Sequence, residues 1–313
     1  MLAYTLRRVA LSIPTALMVS LIVFSLLYIT PGDPASLMAG MEASVEEVEA
    51  LREALGLKRG FLVRLKEFYW DLAHFDLGTS IRSGKPVSEL IMDRADVTLT
   101  LALMMQTLMI VVGIPLGVLA GYRHNTWVDK STMMLAVVGM SVPGFWVAFM
   151  AMWLVGLKLA WLPPAGYVPL SDGVWPFLQR FILPVTVNGV LGMAFLMRIT
   201  RSSIVELMRD DFVRTARAKG VREPVVLFRH ILKNATPPIL TVLGLGFAGL
   251  VTGAVITEAV FALPGIGLLL ASAISARDYP IIQGFVLLCS LLYVLVNLLV
   301  DISYAAFDPR IRY

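Results

Sequence analysis

Uncharged, continuously apolar runs punctuate this chain at 9–30, 97–122, 131–157, 181–197, 235–257 and 279–300. Each is long enough for a helix to cross a bilayer core, which takes roughly 17 to 25 residues at about 1.5 Å per residue. The runs lack the alternation of a lipid-facing strand, so they predict helices rather than barrel strands. A seventh uncharged run, 259–276, is broken by Pro264, Gly265 and Gly267 and predicts a re-entrant or surface-lying segment outside the membrane. The pattern therefore predicts an all-α integral membrane protein with six transmembrane helices.

Charge orients the six. Arg7-Arg8, Arg123 with Lys130, the basic stretch 198–233 and Arg310 with Arg312 all fall on one side of a six-span chain. The positive-inside rule makes that side cytoplasmic, with both termini inside. Seven spans would carry the C-terminal arginines out. Composition agrees: 58% hydrophobic and 15% charged residues with mean hydropathy +0.79 exclude a soluble domain. The pI near 9.2 then reflects topology rather than nucleic-acid binding. Arg7-Arg8 could open a secretory signal, but the apolar run is too long and no A-x-A-like site follows, so a retained first helix is expected. Cys289, the one cysteine, sits in the last run, can form no internal disulfide and is expected to pack.

The stretch 31–96 is the one sizeable polar piece, external on this topology and too small to read as an independent domain. Ser44-Val45-Glu46-Glu47 forms a capping box; Val45, Val48, Leu51 and Leu55 follow at helical spacing, and Gly56 closes the helix. A second amphipathic stretch carries Phe61, Leu62, Leu65, Phe68, Tyr69 and Leu72. The two helices are expected either to cap the outer mouth or to serve as a small packing element.

Several motifs fail on context. Gly244-Leu245-Gly246-Phe247-Ala248-Gly249 matches G-x-G-x-x-G but lies mid-span, where small residues permit close helix approach. Gly84-Lys85 is followed by Pro86 and lacks the spaced glycine of a phosphate loop. His74, His124 and His230 are scattered, with no partner at zinc-ligand spacing, and no G-x-S-x-G or H-E-x-x-H occurs. Glu258, Asp301 and Arg198 end the fifth, sixth and fourth runs, where snorkelling or helix-terminal pairing is expected. Inside the runs, Gln106, Ser141, Asn188 and Asn297 are polar groups that could line a pathway or bond helix to helix, the second role being favoured for each.

Between the fourth and fifth runs lies Asp211-Phe212-Val213-Arg214-Thr215-Ala216-Arg217-Ala218-Lys219-Gly220. Asp210 or Asp211 can cap a helix start, Phe212, Val213 and Ala216 give an apolar side, and Gly220 suits the left-handed position after a helix. Glu223-Pro224 restarts a second short helix with Val225, Phe228 and Leu232 on one face. Composition by itself would allow an ordinary basic loop.

This segment resembles the cytoplasmic loop of ABC importer permeases, whose E-A-A-x-x-x-G motif docks on the ATPase. Arg214, Thr215, Ala216 and Gly220 take the motif's positions, and R-T-A-R-A-K-G is the form usual in the dipeptide and oligopeptide branch. Further matches run along the chain: Pro31-Gly32-Asp33-Pro34, Phe75-Asp76-Leu77-Gly78, Gly84-Lys85-Pro86-Val87, Leu162-Pro163-Pro164-Ala165-Gly166-Tyr167 and Phe261-Ala262-Leu263-Pro264-Gly265-Ile266-Gly267. Arg277-Asp278-Tyr279-Pro280 and Asp308-Pro309-Arg310-Ile311-Arg312-Tyr313 complete the set.

The resemblance implies a type I ABC importer transmembrane fold in a bacterial inner membrane. It implies an N-terminal span (1–30), a periplasmic loop (31–95), a shared core (96–307, with coupling loop 198–234) and a cytoplasmic tail (308–313). It further implies a second permease, two ATPase subunits and a periplasmic binding protein as partners. ATP and Mg would sit on the ATPase subunits, with no cofactor and no catalysis on this chain. Asp211, Phe212, Arg214, Thr215, Ala216, Arg217, Lys219 and Gly220 would couple to the ATPase. Substrates of that branch are dipeptides, oligopeptides, glutathione, nickel chelates or opines. Two weaker alternatives are an intramembrane enzyme, for which the runs supply no charged or histidine group between their ends, and a membrane anchor or assembly factor, which needs no capped helix on a basic loop.

Overall fold

A computed structural model describes residues 2–29, 34–39, 43–54 and 58–307. Pro31-Gly32-Asp33, Leu55, Gly56 and the tail 308–313 lie outside the described residues, as do the side chains of Arg7, Arg8 and Leu51. The chain is helical, running α1 (Leu2–Ile29), α2 (Pro34–Ala39), α3 (Val45–Ala54), α4 (Phe61–Ala73), α5 (Val87–Tyr122), α6 (Trp127–Ser141) and α7 (Gly144–Lys158). There follow α8 (Val174–Leu207), α9 (Asp211–Ala218), α10 (Glu223–Phe261), α11 (Ile266–Ala276) and α12 (Tyr279–Phe307). Among the described residues the one isolated β-bridge joins Thr79 to Pro86.

Four helices, α5, α8, α10 and α12, are long and apolar enough to cross a membrane; the α6–α7 pair would make a fifth, and α1 holds the apolar stretch Val9–Ser25. The expected third run, 131–157, is not one rod. It bends by 95° between α6 and α7, because Val142 precedes Pro143 and is driven extended, at φ −96° and ψ 131°. Run 259–276 resolves into the end of α10, a left-handed Ala262 and the 11-residue α11, too short to span. Helices α5 and α8 overrun their apolar runs at the ends, since apolarity marks contact with lipid rather than helicity.

The Ser44 capping box is formed. The Ser44 N–H donates to Glu47 Oε2 at 2.8 Å and the Glu47 N–H to Ser44 Oγ at 3.2 Å. The Ser44 N–H first, and the Ser44 hydroxyl donating to Glu47 Oε2 at 3.1 Å, hold the Glu47 carboxyl below its ordinary value.

Helix α8 is the hub, packed by α5, α6, α7 and α10. Its contact with α5 rests on Gly113, Gly117 and Gly121, spaced by four and so on one stripe. A Cβ at Gly117 would stand 2.7 Å from the Met197 carbonyl and Thr200 Cβ, and one at Gly121 2.7 Å from Ile204 Cβ. The glycines thus bring two backbones together, as in membrane helix pairs generally. Of the mid-span G-x-G-x-x-G, Gly244 does bring α10 onto Val296 and Val300 of α12, whereas Gly249 faces open space.

One polar latch secures α6 to α8. Asp129, 3% exposed, takes Arg201 Nε at 2.5 Å and Nη2 at 2.8 Å, the Asn125 N–H at 2.9 Å, and lies 3.1 Å from His124 Nδ1. Cys289 is buried in the cluster of α5, α11 and α12, as expected of a packing residue.

Gly117→Val should overpack the α5–α8 contact and cost about 1 to 3 kcal/mol, while Gly249→Ala should cost little within this chain. The midpoint of thermal denaturation in detergent compares them, and equal midpoints would refute the close-contact reading.

Candidate functional site

The segment 208–233 is built from helix ends. Asp210 holds the N-cap position of α9 but makes no side-chain cap bond, and Asp211 pairs instead with Arg214 at 3.2 Å. At the other end the Gly220 N–H donates to the Arg217 carbonyl at 2.9 Å and the Val221 N–H to that of Ala216 at 3.2 Å. That pair of bonds is a Schellman stop, with Gly220 at φ +73° as expected. A Cβ at Gly220 would meet no atom within 4 Å; its need for glycine is conformational alone.

The faces of α9 differ from expectation. Val213 and Ala216, 0% and 7% exposed, pack with Val118 of α5, Ile204 of α8, and Val226, Ile231 and Ala235 at the start of α10. Ala216, expected among the residues that couple to the ATPase, therefore packs against its own subunit. Phe212 leaves the apolar side and is 36% exposed, alongside exposed Asp211, Arg214, Thr215, Arg217 and Lys219. Arg217 is engaged within the chain: its Nε donates to Glu223 Oε1 at 2.7 Å, which holds the guanidinium above its usual value. Tyr122 Oη joins Glu223 at 3.4 Å, so α5, α9 and α10 meet at one carboxylate.

The separate short helix after Gly220 does not exist. Glu223 begins α10, which runs unbroken to Phe261 through a π-helical stretch, Val226–Leu232. The wider turn puts Val226 and Ile231, five apart, in the core, and turns Val225 and Phe228 outward at 40% and 62% exposed. The 3.6-residue period places Val225, Phe228 and Leu232 on one face; the π-helical stretch divides them, leaving Val225 and Phe228 exposed beside α9 while Leu232 packs against the core.

At the opposite end of the helices the scattered motifs meet. Glu258, expected near an interface, is fully buried. It accepts from Thr98 Oγ1 at 2.6 Å and from the Leu268 N–H at 2.9 Å, while Thr98 Oγ1 accepts from the Ile266 N–H at 2.8 Å. A Cβ on Gly265 would collide with this carboxylate, and one on Gly267 would stand 2.6 Å from Val255 Cα. The Gly166 N–H donates to the Phe261 carbonyl at 2.8 Å, and Arg180 to that of Ala165. Asp278 accepts from Ser80 Oγ at 2.6 Å and lies 3.4 Å from the Ile81 and Arg82 N–H groups.

The in-span polar residues do not converge on one channel. Gln106 Nε2 donates to the Leu243 carbonyl at 3.0 Å, bonding α5 to α10. Ser141 donates to Val137 and Asn188 to Pro184, both within their own helices. Asn297 lines a cleft with Ser12, Thr15 and Asp301 between α1 and α12.

Buried helix contacts and a body of long apolar helices define a multi-pass membrane protein, and comparison with known proteins gives the class its family. Residues 113–313 match binding-protein-dependent transport system inner membrane components, and residues 1–102 the N-terminal region of such membrane components. The chain is 46% identical over 313 residues to a putative peptide transport system permease protein of Brucella abortus (strain 2308), covering all of both chains. It is 38% identical over 333 residues to a dipeptide transport system permease protein of Alkalihalophilus pseudofirmus, and 41% over 313 to a glutathione transport system permease protein of Salmonella choleraesuis, again at full coverage. The chain belongs to the binding-protein-dependent transport system inner membrane components, in the dipeptide and oligopeptide branch, and is a permease subunit of an ABC importer.

Thr98→Val should leave Glu258 and the Ile266 N–H each short of a buried partner, at about 1 to 3 kcal/mol per group. Thr98→Ser should keep both bonds and stay near wild type. Thermal denaturation of the two variants checks this, and indistinguishable midpoints would mean that Thr98 carries no such role.

Proposed function

We propose that this chain forms, with a second permease, the pathway by which a binding-protein-delivered dipeptide, oligopeptide or related small solute enters the bacterial cell. Its relatives' names support that substrate class. In this reading the fold is the type I importer fold with six spans, counting α1 and the bent α6–α7 pair with the four long helices. Both termini are cytoplasmic and the chain is not an enzyme. Two ATPase subunits bind ATP and Mg, dock on the exposed side of α9 and do the hydrolysis; an external binding protein delivers substrate.

The observation that carries this reading is the seating of α9. Val213 and Ala216 lock it to the ends of α5, α8 and α10, while Phe212, Arg214, Thr215 and Lys219, with Val225 and Phe228 nearby, remain outward. A push on the outer side of such a helix moves three spans together, which is what rocking between inward-open and outward-open states needs. Arg217 contributes by fixing Glu223, and Gly220 by ending the helix sharply. Gln106 acts as a helix-to-helix bond, and Ser141, Asn188 and Asn297 keep their local roles.

Purified alone, the chain should hydrolyse no ATP, with turnover restored on reconstitution with ATPase subunits. Within that complex, Phe212→Asp should weaken co-purification of the ATPase and lower transport, whereas Gly220→Val, straining a left-handed position by about 1 kcal/mol or more, should lower uptake and substrate-stimulated hydrolysis together. Glu206→Gln is the control. Wild-type uptake by both variants with the ATPase attached would reduce α9 to a solvated loop.

A further inference from the structure

Helix α4 has three faces. Phe61, Phe68 and Tyr69 turn to α1: the ring of Phe24 meets Phe61 at 5.4 Å and Phe68 at 5.2 Å, and Tyr69 Oη donates to the Leu17 carbonyl at 2.9 Å. Arg64, Glu67 and Asp71 turn to a cavity of about 390 Å³ shared with Arg59, Asp76 and Tyr279, where Arg59 pairs with Glu67 at 2.7 Å. The third arc holds Leu62, Val63, Lys66 and Trp70, and no element among the described residues covers it. Leu62 is 76% and Trp70 67% exposed.

We propose that α4 is an interfacial helix of the bilayer, its Leu62, Val63 and Trp70 arc set among lipid acyl chains with Lys66 reaching to the phosphates. Depth decides the occupant. Leu17 lies twelve residues inside the end of α1 at Ile29, about 18 Å at 1.5 Å per residue. At this level α1 runs beside the apolar interior of α12: Gln283 Nε2 donates to the Val23 carbonyl at 3.4 Å, and Leu11, Ser12 and Thr15 face Tyr293 and Asn297. A tyrosine reaches little further than one helical turn, about 5.4 Å, so the axis of α4 is held near the level of Phe24, short of the end of the span.

Any face left open at that depth meets lipid. The side chains suit it, since an amphipathic helix buries its apolar side about 5 to 10 Å into the headgroup and acyl boundary, with tryptophan there and lysine snorkelling. The charged arc avoids lipid by opening on the cavity. Where the sequence left either a cap over the outer mouth or a small packing element, this reading gives α4 a third role: it anchors the outer loop to the membrane beside α1.

The test uses the single cysteine. In a Cys289→Ala background, bimane is attached at Leu62→Cys, Trp70→Cys, Glu67→Cys and Asp71→Cys, in the complex co-purified with its partner subunits and reconstituted into phosphatidylcholine vesicles. Acyl chains brominated at the shallow positions should quench positions 62 and 70 by about twofold or more, as expected of side chains at that boundary, and iodide should leave them unchanged. Positions 67 and 71 should respond to iodide instead. Iodide quenching at 62 and 70 would place them in water, and protection from both quenchers would place them under a partner protein; either overturns the proposal. Val63→Cys gives the same reading should Trp70→Cys fail to assemble. The inference rests on the reading proposed above in taking α1 as a span and in assigning the leaflet as outer. Brominated lipid fills both leaflets, and the side from which iodide reaches 67 and 71 tests that orientation separately.

Discussion

A single carboxylate organises the end of the molecule opposite α9. Glu258 is removed from water near the end of a membrane helix, where an unpaired polar group is costly, and it is tolerated because donors surround it. Its partners belong to different elements: Thr98 of α5 and the first turn of α11, whose free N–H groups favour a negative charge. The chain must turn back on itself within a few residues to bring α11 there. Ala262 does so in the left-handed region at φ 52°, and Gly265 and Gly267 supply the room. The sequence motif ending in Pro264-Gly265-Ile266-Gly267 is thus the covalent record of one buried contact.

Glycine acts in two different ways at the end that carries α9. At Gly117 and Gly121 the backbone is ordinary helix and the missing side chain lets α8 approach; at Gly220 space is free and the positive φ is what matters. A substitution at the first pair acts through overpacking, and one at the second through backbone strain. The distinction bears on α9 itself: Ala216 belongs with the first group, since it lies in the core under the loop.

The hydrophobic runs made the long helices legible, because lipid contact imposes an unbroken apolar pattern. The capping box at Ser44 and the stop at Gly220 were legible because each is a local rule of two to six residues. What escaped depended on partners distant in sequence or on a change of helical period. Val225 and Phe228 came out exposed because seven residues wind as π helix; Pro143 broke a run that composition carried straight through it; Glu258 looked interfacial because Thr98, 160 residues away, could not be seen beside it. Of the candidate site, the position of α9 and the exposure of Asp211, Arg214, Thr215 and Lys219 followed from the sequence, while the inward turn of Ala216 and the engagement of Arg217 needed the structure.

These features give α5 and α10 a common mechanical frame. Helix α10 runs 39 residues from Glu223 to Phe261, about 58 Å at 1.5 Å per residue. At its start Glu223 is bonded to Arg217 and Tyr122, the latter ending α5; near its far end Glu258 is bonded to Thr98 of the same helix. Between the clamps lie the π stretch 226–232 and Pro237-Pro238, where helical hydrogen bonding is already weakened. In the coupling proposed above, displacement of α9 would enter α10 just before its most deformable segment, while the buried carboxylate holds the distant end in register with α5. A helix pair fixed at both ends and soft near one of them would then convert a sideways push into a tilt of the body between, so that the change of shape falls on the middle and the Glu258 end stays together.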